Sequence, residues 1–305
     1  MIKRKVMAKL NFNESKSIGL FLNGTRGFYI FNQIVDREDV TIKWVVLPNS
    51  STITDNLNST KNYKKFVIQN SLELNEITHE LEQVDILICA GFPFKIPKQI
   101  ILKSSITSIN LHGGPLPTYR GGSPIMWQII NGEKRIGISL HELSEEIDTG
   151  DVILESNFLL DSKWSISDVQ SVANIEFSKL LNQFFSDCQS LLKNKHAQSK
   201  KEARYWHQRN PQDGSVDWSN KDSFQIYNFV RAISNPYSGA FGTLFSGGFV
   251  RLWEVECDEV PVCGATGRVV VLSDGPHVVC GLGGSVLLTK FDSTVTIRNG
   301  DRFIV

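Results

Sequence analysis

The densest chemical signal in the chain is a pair of polar side chains at the end of an apolar strand. Ser108-Ile109-Asn110-Leu111-His112 alternates, so Asn110 and His112 share one side of an extended segment. The segment breaks into Gly113-Gly114-Pro115-Leu116-Pro117-Thr118-Tyr119-Arg120-Gly121-Gly122-Ser123, and Pro124 then opens a helix. An asparagine amide can donate to a developing oxyanion. An imidazole is a base near neutral pH. A lone histidine is more often structural, but beside Asn110 and a glycine-rich loop His112 reads as catalytic.

A second cluster, His141-Glu142-Leu143-Ser144-Glu145-Glu146-Ile147-Asp148-Thr149-Gly150-Asp151, is an acidic loop between strands. Asp148-Thr149-Gly150 reads as an ordinary turn, because Asp and Gly favour turns. It also offers the acid that His112 would need to hold its tautomer and accept positive charge. Local pattern alone leaves both readings open. Glu142, Glu145 and Glu146 read as solvated.

The elements that must position these residues alternate between strand and helix. Buried strands are expected at Ser17–Leu22, Val40–Leu47 and Val84–Cys89, with a fourth ending at His112. Helices are expected over Phe28–Ile34 and Leu72–Glu82. This order predicts an α/β, Rossmann-like domain with a mostly parallel sheet, and ligands in such sheets bind outside the strand carboxyl ends. Ile136–His141 and Asp151–Leu160 read as an edge pair. Ser165–Leu192 reads as a long helix capped by Ser165 or Ser167. Polar Lys193–Arg204 reads as an exposed linker. Beyond Tyr205 a short helix, Asp222–Ser234, precedes strands at Phe241–Phe245, Phe249–Glu256, Gly267–Ser273, His277–Cys280 and Ser285–Thr289. The expected domains are therefore residues 1–204 and a smaller β-rich, C-terminal 205–305, whose short strands and Gly-rich turns suggest an open barrel.

Three motifs carry a family resemblance: Asn110-x-His112, then Leu116-Pro117-x-Tyr119-Arg120-Gly121, then Ile147-Asp148-x-Gly150. Together they resemble the folate-dependent formyltransferases, and the resemblance implies that Asn110, His112 and Asp148 form the catalytic trio. Ala90-Gly91-Phe92-Pro93-Phe94-Lys95-Ile96-Pro97 resembles the pterin loop of that family. Phe94, Lys95 and Ile96 on one side, and Ser144, Glu145, Glu146 and Ile147 on the other, would then flank 10-formyltetrahydrofolate, with no metal. Gly113-Gly114-Pro115 departs from the commoner Ser-Leu-Leu of the family while leaving the catalytic positions intact. Arg209-Asn210-Pro211-x-Asp213-Gly214-x-Val216-Asp217-Trp218 and Pro236-Tyr237-Ser238-Gly239-Ala240-Phe241 are similar to the segment after the transfer domain in tRNA-directed and sugar-directed members. The resemblance covers 84–160 and 205–245 well and is weak over 1–80 and 246–305.

Charge narrows the acceptor. The 305 residues are 41% hydrophobic and 21% charged, with 32 basic and 32 acidic side chains. Such a balance disfavours a strong nucleic-acid or membrane-surface binder. Residues 205–305 hold eight Lys or Arg against ten Asp or Glu, a poor platform for tRNA phosphates. The branch expected is therefore the nucleotide-sugar N-formyltransferases, with a dTDP-linked amino sugar destined for cell-surface polysaccharide such as O-antigen. Methionyl-tRNA formyltransferase is the alternative; the long second domain disfavours a formyltetrahydrofolate hydrolase, which the resemblance implies would use a similar trio, and the intact trio disfavours a non-catalytic binding module. Trp206 could stack on a base or pack between domains, Arg209 could pair with a pyrophosphate, and Asn23 could touch sugar or phosphate or merely form a turn. Five widely spaced cysteines without a CxxC argue against disulfides or zinc. With no apolar run long enough to span a bilayer, a cytoplasmic location is expected. Val269-Val270-Val271 could be core or the surface of a homodimer. Met1 and Met7 are both candidate starts.

Overall fold

The structure, a computed structural model, describes residues 15–51, 57 and 62–305. The choice between Met1 and Met7 lies outside the described residues, as does most of the polar stretch before Lys64.

The chain forms two compact units. The first comprises residues up to Arg120, Gly137–Asn157 and Val172–Tyr205; the second comprises Gly121–Ile136, Phe158–Ser171 and Trp206–Val305. One boundary falls at Tyr205/Trp206, one residue from the expected division. The segments 121–136 and 158–171 nevertheless group with the C-terminal residues, which a linear division does not express.

In chain order the first elements are β1 (Lys16–Leu22), α1 (Gly24–Val35), β2 (Val40–Pro48), β3 (Lys64–Ile68), α2 (Glu73–Ile77), β4 (Val84–Ala90), α3 (Lys98–Ile101) and β5 (Ser104–His112). There follow β6 (Arg120–Gly121), α4 (Pro124–Ile130), β7 (Arg135–Glu142), β8 (Val152–Leu159), α5 (Ile166–Ser186), α6 (Cys188–Asn194) and β9 (Tyr205–Trp206). The large sheet runs β3-β2-β1-β4-β5-β7-β8. Its first five strands are parallel, and β7 is antiparallel to β5. The strand order reverses between β1 and β4, so the crevice favoured by ligands opens at their carboxyl ends. Asn23, Gly91 and the end of β5 all lie at that edge of the sheet.

The local reasons are visible in the residues. β1 and β4 are nearly continuous apolar runs buried on both faces, as parallel central strands require. Gly19 leaves room for the Trp44 indole, whose atoms lie 2.1 Å from where a Cβ would stand. α5 starts at a reciprocal cap: the Ser165 main chain and hydroxyl donate to Asp168, whose own N–H donates back to Ser165 Oγ. The helix expected over 72–82 is confined to Glu73–Ile77, after which the chain turns before Val84.

The second unit adds α7 (Ser223–Ile233) and strands β10 (Ala240–Thr243), β11 (Phe249–Cys257), β12 (Val269–Leu272), β13 (Gly275–Val279) and β14 (Ser285–Ser293). The antiparallel order is β10-β11-β14-β13-β12. Its two edges are joined by the chain's last residues, since Leu244 bridges Phe303 and Arg268 bridges Arg302. Phe303, fully buried, packs on Trp218 at 4.9 Å between ring centroids. Among the described residues, no helix is long and apolar enough to cross a membrane.

Candidate active site

Two strands and one loop of the first unit deliver the reactive groups. β5 ends with Asn110 and His112, and β7 places His141 directly opposite Asn110 in the antiparallel ladder. The loop after β7 returns through Asp148. The Asn110 Nδ2 amide lies 3.1 Å from His141 Nε2 and 3.5 Å from Asp148 Oδ1. Asp148 Oδ2 is 3.5 Å from His112 Nδ1, and Asp148 Oδ1 is 3.4 Å from His141 Nε2. His112 and His141 are buried, and only about a tenth of the Asp148 side chain is exposed. The structure thus gathers all three residues expected to form the trio, and adds His141, which the sequence reading had not singled out.

The backbone decides which ring nitrogens carry protons. His112 Nε2 is 2.6 Å from the Tyr119 carbonyl and His141 Nδ1 is 2.8 Å from the Glu142 carbonyl. A carbonyl can only accept, so both nitrogens must donate. His112 therefore turns Nδ1 towards Asp148, and His141 turns Nε2 towards the Asn110 amide. This differs from the expected triad arrangement: Tyr119, rather than Asp148, holds the His112 tautomer. Burial pushes the His112 pKa below the ordinary histidine value, and the Asp148 charge opposes the shift without overcoming it. A neutral imidazole with Nδ1 open is suited to accept a proton. Once protonated, it would lie between a carbonyl and a carboxylate.

Ligand atoms of His112, His141 and Asp148 all lie within 4.8 Å of one another, a spacing that a cation could also use. The Asn110 amide directed at His141 Nε2 takes up the lone pair that a metal would need, so the donor set fits proton sharing better than coordination. Cys89, paired with Asn110 across the parallel ladder, is no rival nucleophile: burial pushes its thiol up to about 12, and Asp148 adds to the shift.

The two stretches expected to flank a pterin meet in this unit. Ile96 is buried in a cluster with Phe21 and Trp44, against which Phe92, Phe94 and Leu143 pack. Phe94 meets Phe92 edge-on at 5.6 Å. Lys95 is exposed, as are Glu145, Glu146 and Ile147. Lys98 pairs with Glu145, tying the start of α3 to the loop after β7. Ser144 Oγ donates to the Glu146 carbonyl and lies 2.7 Å from the Thr149 hydroxyl, shaping the second loop from within.

The remaining expected contacts divide between the units. Asn23 caps α1 through its backbone, its N–H donating to Ala90 and its carbonyl accepting from Gly27; its side chain makes no capping bond. Trp206 packs on Trp127, with centroids 5.0 Å apart. The Arg209 guanidinium lies over the rings of Trp127 and Phe229 and donates to the Asp213 carbonyl. A cavity of about 100 Å³ beside it, lined by Met126, Asn210, Ile233 and Tyr237 among others, is smaller than sites that hold drug-sized ligands.

The stretch expected as an exposed linker is engaged. Lys195 pairs with Glu142 and Asp151, so Glu142 is not simply solvated. His196 exchanges two backbone hydrogen bonds with Val152. Gln198 bonds to Asp148, Gly150 and Arg120. Its only sequence signal was a polar composition, which suits solvent equally well.

Comparison with known proteins places these features in a family. The formyl transferase family model matches residues 46–182, and the formyl transferase C-terminal domain model matches 209–296. A bifunctional polymyxin resistance protein ArnA from Wigglesworthia glossinidia brevipalpis is 36% identical over half of this chain but only 23% of its own length. A methionyl-tRNA formyltransferase from Acetivibrio thermocellus is 27% identical over 76% of this chain and 78% of its own. Among solved structures, an N-formyltransferase from Helicobacter canadensis in complex with folinic acid and dTDP-3-aminofucose aligns over 90% of this chain and 98% of its own, at 17% identity and a TM-score of 0.62.

Proposed function

The chain belongs to the formyl transferase family, and we propose that it moves a formyl group from 10-formyltetrahydrofolate to the amine of a nucleotide-linked amino sugar, dTDP-linked in the first instance. The observation that carries the reading is the convergence of Asn110, His112 and Asp148 at the carboxyl end of β5. The deprotonated amine attacks the formyl carbon, forming the new C–N bond. Asn110 turns the N–H now 3.5 Å from Asp148 towards the developing oxyanion. Removing such a donor typically costs about 2.7–4 kcal/mol in barrier. His112 Nδ1 takes the proton released by the amine, and Asp148 and Tyr119 then flank the imidazolium. As the C–N bond to the donor breaks, that proton passes to the leaving folate nitrogen. The Phe94–Ile96 and Ser144–Ile147 loops would hold the pterin.

Residues 1–204 would carry formyl transfer, and 205–305 would serve acceptor recognition. Two observations support the sugar: the acidic excess of 205–305, and the sugar-directed enzymes among the proteins of like fold. The methionyl-tRNA relatives keep a second reading in play. The test is an acceptor panel of dTDP-, UDP- and GDP-amino sugars and methionyl-tRNA with 10-formyltetrahydrofolate, read as tetrahydrofolate release. Release with an amino sugar supports the reading; release with methionyl-tRNA alone overturns the acceptor; no release with any acceptor counts against formyl transfer to this class of amine.

A further inference from the structure

Asp148 is one of two non-glycine residues with positive φ among those described, at 53°. That conformation costs on the order of 1 kcal/mol outside glycine, so surrounding contacts must hold it. Gly150, two residues on, approaches Glu142 so closely that a Cβ would stand 1.9 Å from its carbonyl oxygen. One side chain meets the loop at both positions: Gln198 Nε2 donates to the Asp148 carbonyl at 2.9 Å and to the Gly150 carbonyl at 2.7 Å. Gln198 Oε1 accepts from Arg120 Nε at 2.9 Å. The orientation of this amide is fixed by its partners, because carbonyls only accept and a guanidinium only donates. Both amide hydrogens and one acceptor site are in use.

Arg120 is buried and adjoins Tyr119, whose carbonyl binds His112 Nε2. Asp148, on the other arm, faces His112 Nδ1. We propose that Gln198 is a positioning residue that sets both sides of the His112 imidazole, joining the loop that carries Asp148 to the loop that carries Tyr119. It makes no contact with the reacting groups itself. Arg120 is steadied in turn by the Tyr205 hydroxyl at 3.2 Å, while the ladder between His196 and Val152 brings Gln198 alongside the loop. Half-angström placement matters at a proton-transferring site, and one amide here governs two loops.

The inference rests on the formyl-transfer reading for its kinetic consequence but not for its geometric one, so the test has two arms. Gln198→Met removes the hydrogen bonds at similar length. Gln198→Glu keeps an acceptor for Arg120 but turns oxygens towards the Asp148 and Gly150 carbonyls. In the first arm, ring ¹⁵N shifts of His112 are followed against pH in the full chain. Both variants are expected to lower the apparent pKa of His112, because Asp148 no longer sits where it supports the charged ring, while the melting temperature stays within a few degrees. A His112 titration identical to wild type in both overturns the proposal. In the second arm, with an acceptor the wild type formylates, kcat should fall about 10- to 100-fold with both KM values within about twofold, and the acid limb of the kcat profile should move to lower pH. Wild-type kcat in Gln198→Glu also overturns the proposal. Failure of the wild type to transfer formyl sinks the functional reading and leaves the first arm to decide the clamp.

Discussion

Each unit of this protein buries a histidine beside carboxylates and treats it in the opposite way. In the first unit His112 faces one carboxylate at 3.5 Å and gives its other nitrogen to a carbonyl; burial prevails and its pKa falls. In the second, His277 lies between two carboxylates, with Nδ1 2.9 Å from Asp258 and Nε2 2.9 Å from Asp274. Burial again opposes the charge, but the hydrogen bonds and charges of Asp274 and Asp258 outweigh it, and the pKa rises. Ser285, fully buried, donates to the other oxygen of Asp258. The difference is one of satisfaction. His277 has a charged acceptor on each nitrogen and acts as a tie between β13, β14 and the loop after β11. His112 keeps one nitrogen at a longer distance from its acid, which leaves that nitrogen able to exchange a proton.

Substitutions should separate the two roles, beginning with the largest effect. His112→Ala should lower kcat about a thousandfold with little change in melting temperature, and Asp148→Asn should approach it; near-normal turnover in either purified variant would break the contrast. Asn110→Ala should lower kcat about a hundredfold, measured with the same acceptor. His277→Gln should leave kcat within about twofold while destabilising the chain by on the order of 2 kcal/mol, since it deprives the buried Asp258 of its charged partner. Thermal unfolding checks this, and a variant that loses turnover at temperatures where it is fully folded would put His277 among the functional groups.

The smallest effect is the most diagnostic, because the two histidines should tilt stability with opposite sign. His112 has a folded pKa below its unfolded value of about 6.5. Its contribution is present above that pH and lost as pH falls towards the folded value. His277 has a raised folded pKa, so its contribution is complete below about pH 6.5 and lost as pH rises through the folded value. Urea unfolding across pH should therefore flatten on the acid side in His112→Gln and on the basic side in His277→Gln. The same slope change in both variants would refute the distinction.

How much of this was legible in the sequence follows from how local each signal is. β1, β4 and β5 are short apolar runs, and the alternation of Asn110 and His112 is a property of five consecutive residues. Asp148 was legible only through resemblance, because its turn chemistry is common. His141 lies opposite Asn110 through strand pairing across 31 residues, and no local pattern expresses that. Gln198 acts at a distance of 50 residues from within a stretch whose composition reads as solvent-facing. The edges of the C-terminal sheet are joined by Arg302 and Phe303, two residues too few to register as a strand. Likewise, 121–136 and 158–171 group with the second unit through contacts that chain order does not record.

The central claim is that His112 waits as a neutral base with Nδ1 open. Ring ¹⁵N spectroscopy of the assigned histidines at neutral pH tests it most directly. The account predicts a neutral His112 protonated on Nε2, and a His277 that stays doubly protonated to a higher pH than His112 does. A His112 imidazolium, or a neutral ring protonated on Nδ1, would contradict it.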